Sequence, residues 1–121
     1  MSKRILVVED QEDDRQIIRD VLAGSGCTIT EARDGEEALA AVARESPDLI
    51  LMEIQLPGMN GYEAMRRIRT DLALLSTPII AVTCYAPNGE ELKARAAGCD
   101  AFVPKPYSPR QLLAKIFQYL A

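Results

Sequence analysis

Five short apolar runs divide this chain, and helical patterns fill the stretches between and after them. The runs are Ile5–Val8, Thr28–Ala32, Leu49–Met52, Ile79–Val82 and Ala101–Val103. Sequences such as LILM and IIAV are apolar without alternation, the pattern of strands covered on both faces. Thr28–Ala32 is more polar and suits a sheet edge. Strands alternating with helices, joined by right-handed crossovers, give an α/β fold with a doubly wound, five-stranded parallel sheet and five helices.

The helix boundaries carry their own signals. Asp34 with Glu37, Asn60 with Glu63, Asn88 with Glu91 and Ser108 with Gln111 have capping-box spacing. Pro109 occupies the first helical position after Ser108. Ile17, Ile18, Val21 and Leu22 are the expected buried stripe of the first helix, and Leu112, Leu113, Ile116, Phe117 and Leu120 that of the last. Gly24, Gly26 and Gly98 follow helices as stops.

The 121 residues fit one domain, 1–121, able to bury roughly two thirds of its unfolded surface without a disulfide or structural metal. Net charge is -4 and the isoelectric point about 4.8, which argues against direct nucleic-acid binding. Arg66, Arg67 and Arg69 are the basic exception and read as a solvated helix face. No apolar stretch approaches a membrane span, and the run after Met1-Ser2-Lys3-Arg4 is too short for a signal-peptide core. Cys27, Cys84 and Cys99 are an odd set without C-x-x-C spacing. They read as free thiols in a reducing cytoplasm, Cys27 and Cys99 as small buried hydrophobes.

The ends of the strands hold the chemistry. Glu9 and Asp10 end the first run, and Glu53 ends the third and opens the turn Ile54–Gly61. Thr83 follows the fourth run, and Lys105 follows the fifth and precedes Pro106. Ligands of open α/β sheets bind at the carboxyl ends of strands, at the point where the strand order reverses. Periodicity leaves two strand orders open. Only the order 2-1-3-4-5 brings Glu9, Asp10 and Glu53 together, and it is preferred for that reason. Three acids at one edge repel unless a cation sits among them, and Mg²⁺ takes one or two carboxylates with waters and phosphate oxygens. A lysine and a threonine hydroxyl beside them suit a phosphoryl group.

Each of these residues also has a plain reading. Glu12, Asp13 and Asp14 are taken as acids complementing the first helix dipole. Alone, Thr83 would be a loop threonine, Lys105 a surface lysine and Glu53 a solvated turn residue. Their joint placement at four strand ends favours a site.

The segments ILVVED, PDLILMEIQLPGMNGYEAMRRIR, PIIAVT and AGCDAFVPKPYS, in that order, resemble the receiver domain of two-component response regulators over essentially the full length. The resemblance implies a flavodoxin-like, chemotaxis-regulator-like fold and a single-domain regulator without enzymatic turnover, acting in a phosphorelay. It implies Mg²⁺ on the acidic pair Glu9 and Asp10, on Glu53 and on the carbonyl of Gln55. It implies Thr83 and Lys105 at the phosphoryl group, Phe102 as the switch aromatic, and a cis Lys105–Pro106 peptide. The implied partners are a sensor histidine kinase or histidine phosphotransfer protein and a downstream protein target, in the cytoplasm, with a homodimer through the last helix as a further expectation. The chain stops at Ala121, just after the fifth helix, which fits a regulator with no attached output domain.

The departure is Glu53, which stands where the family has its phospho-accepting aspartate. One extra methylene moves the carboxylate by roughly 1.5 Å, and shifts of about 1 Å can cost a hundredfold in rate. Poor or absent phosphorylation is therefore expected. Glu53 then either imitates the phosphorylated state in part, with one negative charge against nearly two, or pairs with Lys105 in an inactive arrangement. The alternative to a cycling receiver is a degenerate one, a constitutive protein-interaction module. A flavin carrier of similar topology would need a phosphate cradle after the first strand, where EDQEDD repels phosphate. An aspartate-nucleophile phosphatase would need room for a specificity cap.

Overall fold

A computed structural model describes residues 2–84 and 88–120. The elements alternate as expected: β1 (Arg4–Val8), α1 (Glu12–Leu22), β2 (Thr28–Ala32), α2 (Gly35–Arg44), β3 (Leu49–Glu53), α3 (Gly61–Ile68), a 3-10 turn (Leu72–Leu74), β4 (Ile79–Thr83), α4 (Glu90–Ala97), β5 (Ala101–Pro104) and α5 (Pro109–Leu120). All neighbouring strands pair in parallel, in the order β2-β1-β3-β4-β5. β1 and β3 are therefore adjacent, with Val8 opposite Met52, so their carboxyl ends open side by side.

The sheet separates two apolar layers by simple alternation. Leu6, Val8, Ile50, Met52, Ile79 and Ala81 face α2, α3 and α4, packing with Ala38, Ala64, Met65, Ile68 and Ala94. Ile5, Val7, Leu49, Leu51, Ile80 and Val82 face α1 and α5, packing with Ile18, Leu22, Leu112 and Ile116. Full burial of each Leu, Ile or Val contributes about 1.5–3 kcal/mol. The central strands need every residue apolar because both faces are covered. β2 lies at the edge, and its Thr28 and Glu31 are exposed.

Two core assignments are corrected. Ile17 is 44% exposed and Phe117 42% exposed. Ile18 and Leu22 already fill the α1 stripe, and Leu112 and Ile116 that of α5, so the neighbouring residues rotate outward.

Three of the four caps form. Asp34 accepts from the Glu37 N–H and Asn60 from the Glu63 N–H. Ser108 and Gln111 make the reciprocal pair, at 3.0 and 3.1 Å. Asn88 does not cap α4: the residue before that helix is Gly89, at φ 89°, with no side-chain cap. Gly98 ends α4 at φ 128°, as its position suggested.

The arginine group also divides. Arg66 and Arg67 are exposed beside Glu63, but Arg69 is no solvated residue. Its guanidinium donates to the carbonyls of Gly98, Leu74 and Thr77 and to Asp100. It ties the turn before β4 to the turn before β5. Cys27 is half-buried, Cys99 buried and Cys84 exposed, all as free thiols. No helix among the described residues is long and apolar enough to cross a membrane.

Candidate functional site

The last turns of β1, β3, β4 and β5 converge on one cleft of about 570 Å³. Asp10, Asp14, Glu53, Gln55 and Lys105 line it, with Ile17, Pro106 and Tyr107 as its apolar rim. Glu53 is the last residue of β3, paired with Val82, and Thr83 is the last of β4, paired with Pro104. Each strand thus runs one residue further than its apolar run.

Glu9 is fixed from several sides. Its N–H donates to the Ala32 carbonyl across to β2. Its own carbonyl accepts from Arg15 Nη1 at 2.7 Å, a bond wholly inside the protein. Arg15 is held in turn by Glu12 and Glu31. Glu9 Oε2 accepts from the Gln11 N–H at 3.1 Å, leaving Oε1 directed to Lys105.

Lys105 is placed by its backbone N–H, which donates to the Thr83 carbonyl at 2.7 Å, and its peptide bond to Pro106 is cis. The ammonium stands 2.6 Å from Glu9 Oε1, 3.1 Å from Asp14 Oδ2 and 3.1 Å from Glu53 Oε1. Burial alone would lower the lysine pKa. The hydrogen bond and charge of Glu9 and the charge of Glu53 outweigh it, and the group is held well above its ordinary value. Glu9 is pushed up by burial, and Lys105 and the Gln11 N–H only partly offset this.

Glu53 is 5% exposed and curls back on its own turn. Its Oε2 accepts from the Ile54 N–H at 2.7 Å and the Gln55 N–H at 3.4 Å, while Oε1 faces Lys105. The Gly61 N–H donates to the Ile54 carbonyl at 2.8 Å, closing the loop that follows. Thr83 is fully buried, and its hydroxyl has no hydrogen-bond partner among the described residues. Phe102 is half-buried against the layer of α2, α3 and α4.

All the acids named from sequence therefore share one end of the sheet. Asp10 lines the cleft but takes a bond from Gln11 Nε2 and not from Lys105. Among the described residues no three metal-ligating side chains are grouped as a ready cage. The cation between Glu9 and Glu53 is the Lys105 ammonium. The donor chemistry nonetheless fits Mg²⁺: hard carboxylate oxygens on a cleft wide enough to keep bound waters. Sequence reading missed Asp14, assigned to the helix dipole, and Arg15 and Tyr107.

The profile of the response regulator receiver domain matches residues 5–117. The chain belongs to this family. It is 39% identical over 120 residues to the polar-differentiation response regulator DivK of Brucella ovis, covering 99% of this chain and 98% of that one. The structure of the chemotaxis protein CheY4 of Vibrio cholerae superposes with a TM-score of 0.92 at 27% identity, covering 98% of this chain and 99% of that one. The receiver domain of a sensor histidine kinase of Pseudomonas aeruginosa superposes with a TM-score of 0.91 at 31% identity, covering 99% and 98%. That structure holds a magnesium ion coordinated in its active site cleft. This chain is accordingly a response regulator receiver of two-component signalling.

Proposed function

We propose that this receiver carries its phospho-acceptor position at Glu53 and rests in an unphosphorylated arrangement in which Glu53 neutralises Lys105. One observation carries the reading: Glu53 engages Lys105 and the Ile54 N–H, while the buried Thr83 hydroxyl has no partner among the described residues. A phosphoryl group offers three acceptor oxygens and nearly two charges. Glu53 offers two oxygens and one charge, enough for the lysine and the backbone amides and too little for the threonine. The imitation of a phosphorylated state is therefore partial and stops short of Thr83 and Phe102.

Asp10, Glu9 and Glu53, with the Gln55 carbonyl, are the residues that would hold Mg²⁺. When bound, the ion neutralises charge on incoming phosphoryl oxygens. Lys105 supplies a point charge to the same oxygens, and Thr83 a hydroxyl donor. The chain itself turns over no diffusible substrate in this reading. Its donor is a sensor histidine kinase or a histidine phosphotransfer protein, its output a cytoplasmic protein target, and it needs no nucleic acid.

The test is intact-mass spectrometry after incubation with acetyl phosphate and Mg²⁺. The wild-type chain stays unmodified and Glu53→Asp gains one phosphoryl group. If both stay unmodified, the phosphorelay reading fails and a constitutive interaction module replaces it. Titrating Mg²⁺ while following backbone amide shifts tests the metal separately, and silence at Glu9, Asp10 and Glu53 at millimolar Mg²⁺ would remove it.

A further inference from the structure

We propose that Asp14 is a positioning residue of this site, holding the Lys105 ammonium on the α1 side of the cleft and withholding it from an anion arriving at position 53. The inference rests on the receiver reading above and deepens it.

An ammonium has three N–H donors. Here they meet three carboxylates: Glu9 at 2.6 Å, Asp14 at 3.1 Å and Glu53 at 3.1 Å. Lys105 is thereby saturated, and a phosphoryl oxygen can gain a lysine hydrogen bond only by displacing one acceptor. Glu9 is nearly fully buried and anchored by the Gln11 N–H, so it has no water to turn to. Glu53 is at the acceptor position itself. Asp14 differs from both: its side chain is 31% exposed, and Lys105 is its only hydrogen-bond partner among the described residues. It is the acceptor that can be released most easily, and its release sets how readily Lys105 turns toward position 53.

The neighbouring acids do not share this role. Asp10 bonds Gln11, and Glu12 bonds Arg15 and Arg19. Asp13 is exposed on the same helical turn and reaches no cation among the described residues. It makes a charge-matched control, because Asp13→Asn removes the same unit charge at nearly the same place.

The experiment measures the affinity of beryllium trifluoride, a phosphoryl analogue, in the Glu53→Asp background at saturating Mg²⁺ by amide chemical shifts. Adding Asp14→Asn tightens binding by about twofold to fivefold, the range for losing one partly exposed ion pair. Asp14→Ala, which removes the acceptor altogether, tightens it at least as much. Asp14→Glu returns the affinity to that of Glu53→Asp alone, and Asp13→Asn leaves it unchanged. Equal tightening by Asp13→Asn and Asp14→Asn would reduce the effect to bulk charge and overturn the inference, as would no tightening at all. If Glu53→Asp binds no beryllium trifluoride in any background, the phosphorelay reading falls and this inference with it.

Discussion

Gly61 offers the sharpest test of how the loop after β3 holds Glu53. It opens α3, and its N–H donates to the Ile54 carbonyl. Its φ is not in the left-handed region, so alanine could adopt the same backbone. Helix propensity alone predicts that Gly61→Ala stabilises, by up to about 1 kcal/mol. Packing predicts the opposite. A Cβ at this position would press on the Glu53 carbonyl oxygen, lie 2.7 Å from Ile54 Cα and 3.1 Å from the Glu53 carbonyl carbon. These are backbone atoms, with no rotamer to swing away. Overpacking against movable side chains costs about 1–3 kcal/mol, and the rigid wall places this substitution near the top of that range. Subtracting the propensity gain leaves a net loss of about 2 kcal/mol, about 8 °C in Tm for a domain of this size. Urea denaturation followed by circular dichroism measures it. Gly58→Ala is the useful comparison: there is open space around that position but φ is +71°, so its loss, about 1 kcal/mol, comes from conformation alone. A Gly61→Ala protein as stable as the wild type, or more so, would refute the close approach of α3 to the end of β3.

Other consequences are measurable in the same way. Arg69→Met leaves the carbonyls of Gly98, Leu74 and Thr77 without their donor, and we expect a loss of about 2–4 kcal/mol by urea denaturation. Thiol labelling should modify exposed Cys84 first, whereas Cys99, buried and with its thiol pushed up by that burial, should react only on unfolding. Lys105 has its folded pKa raised above the ordinary 10.5. Its ion pairs therefore stabilise the fold fully below that value and are lost as pH rises through the folded pKa. Comparing alkaline unfolding of the wild type with Lys105→Met should show this component of the slope only in the wild type.

Most of the architecture was legible because central parallel strands are covered on both faces and cannot hide. LILM and IIAV admit few other readings, and the Ser108–Gln111 box reproduces its expected bonds in both directions. The failures are local competitions. Asn88 has the right spacing for a cap, but Gly89, at positive φ, takes the place before α4. Ile17 and Phe117 carry the right period, but each helix buries a narrower stripe than its apolar content allows. At the site, strand ends announced Glu9, Asp10, Glu53, Thr83 and Lys105. Asp14 was concealed because an acid in a first helical turn has a sufficient local explanation in the dipole. Arg69 was concealed because its partners are backbone carbonyls, which leave no trace in the side-chain pattern.

The solitary hydroxyl of Thr83 has one more implication. A buried donor without an acceptor carries a penalty of about 1–3 kcal/mol, and whatever first supplies that acceptor recovers it. Among the described residues the Thr83 hydroxyl lacks that acceptor, and a ligand in the cleft that supplied one would shift the balance between the empty and occupied forms by up to that amount. That energy corresponds to a shift of about 5-fold to 150-fold in their ratio. Thr83→Val removes this donor, and we expect it to reduce that shift while leaving the carboxylates and the lysine in place.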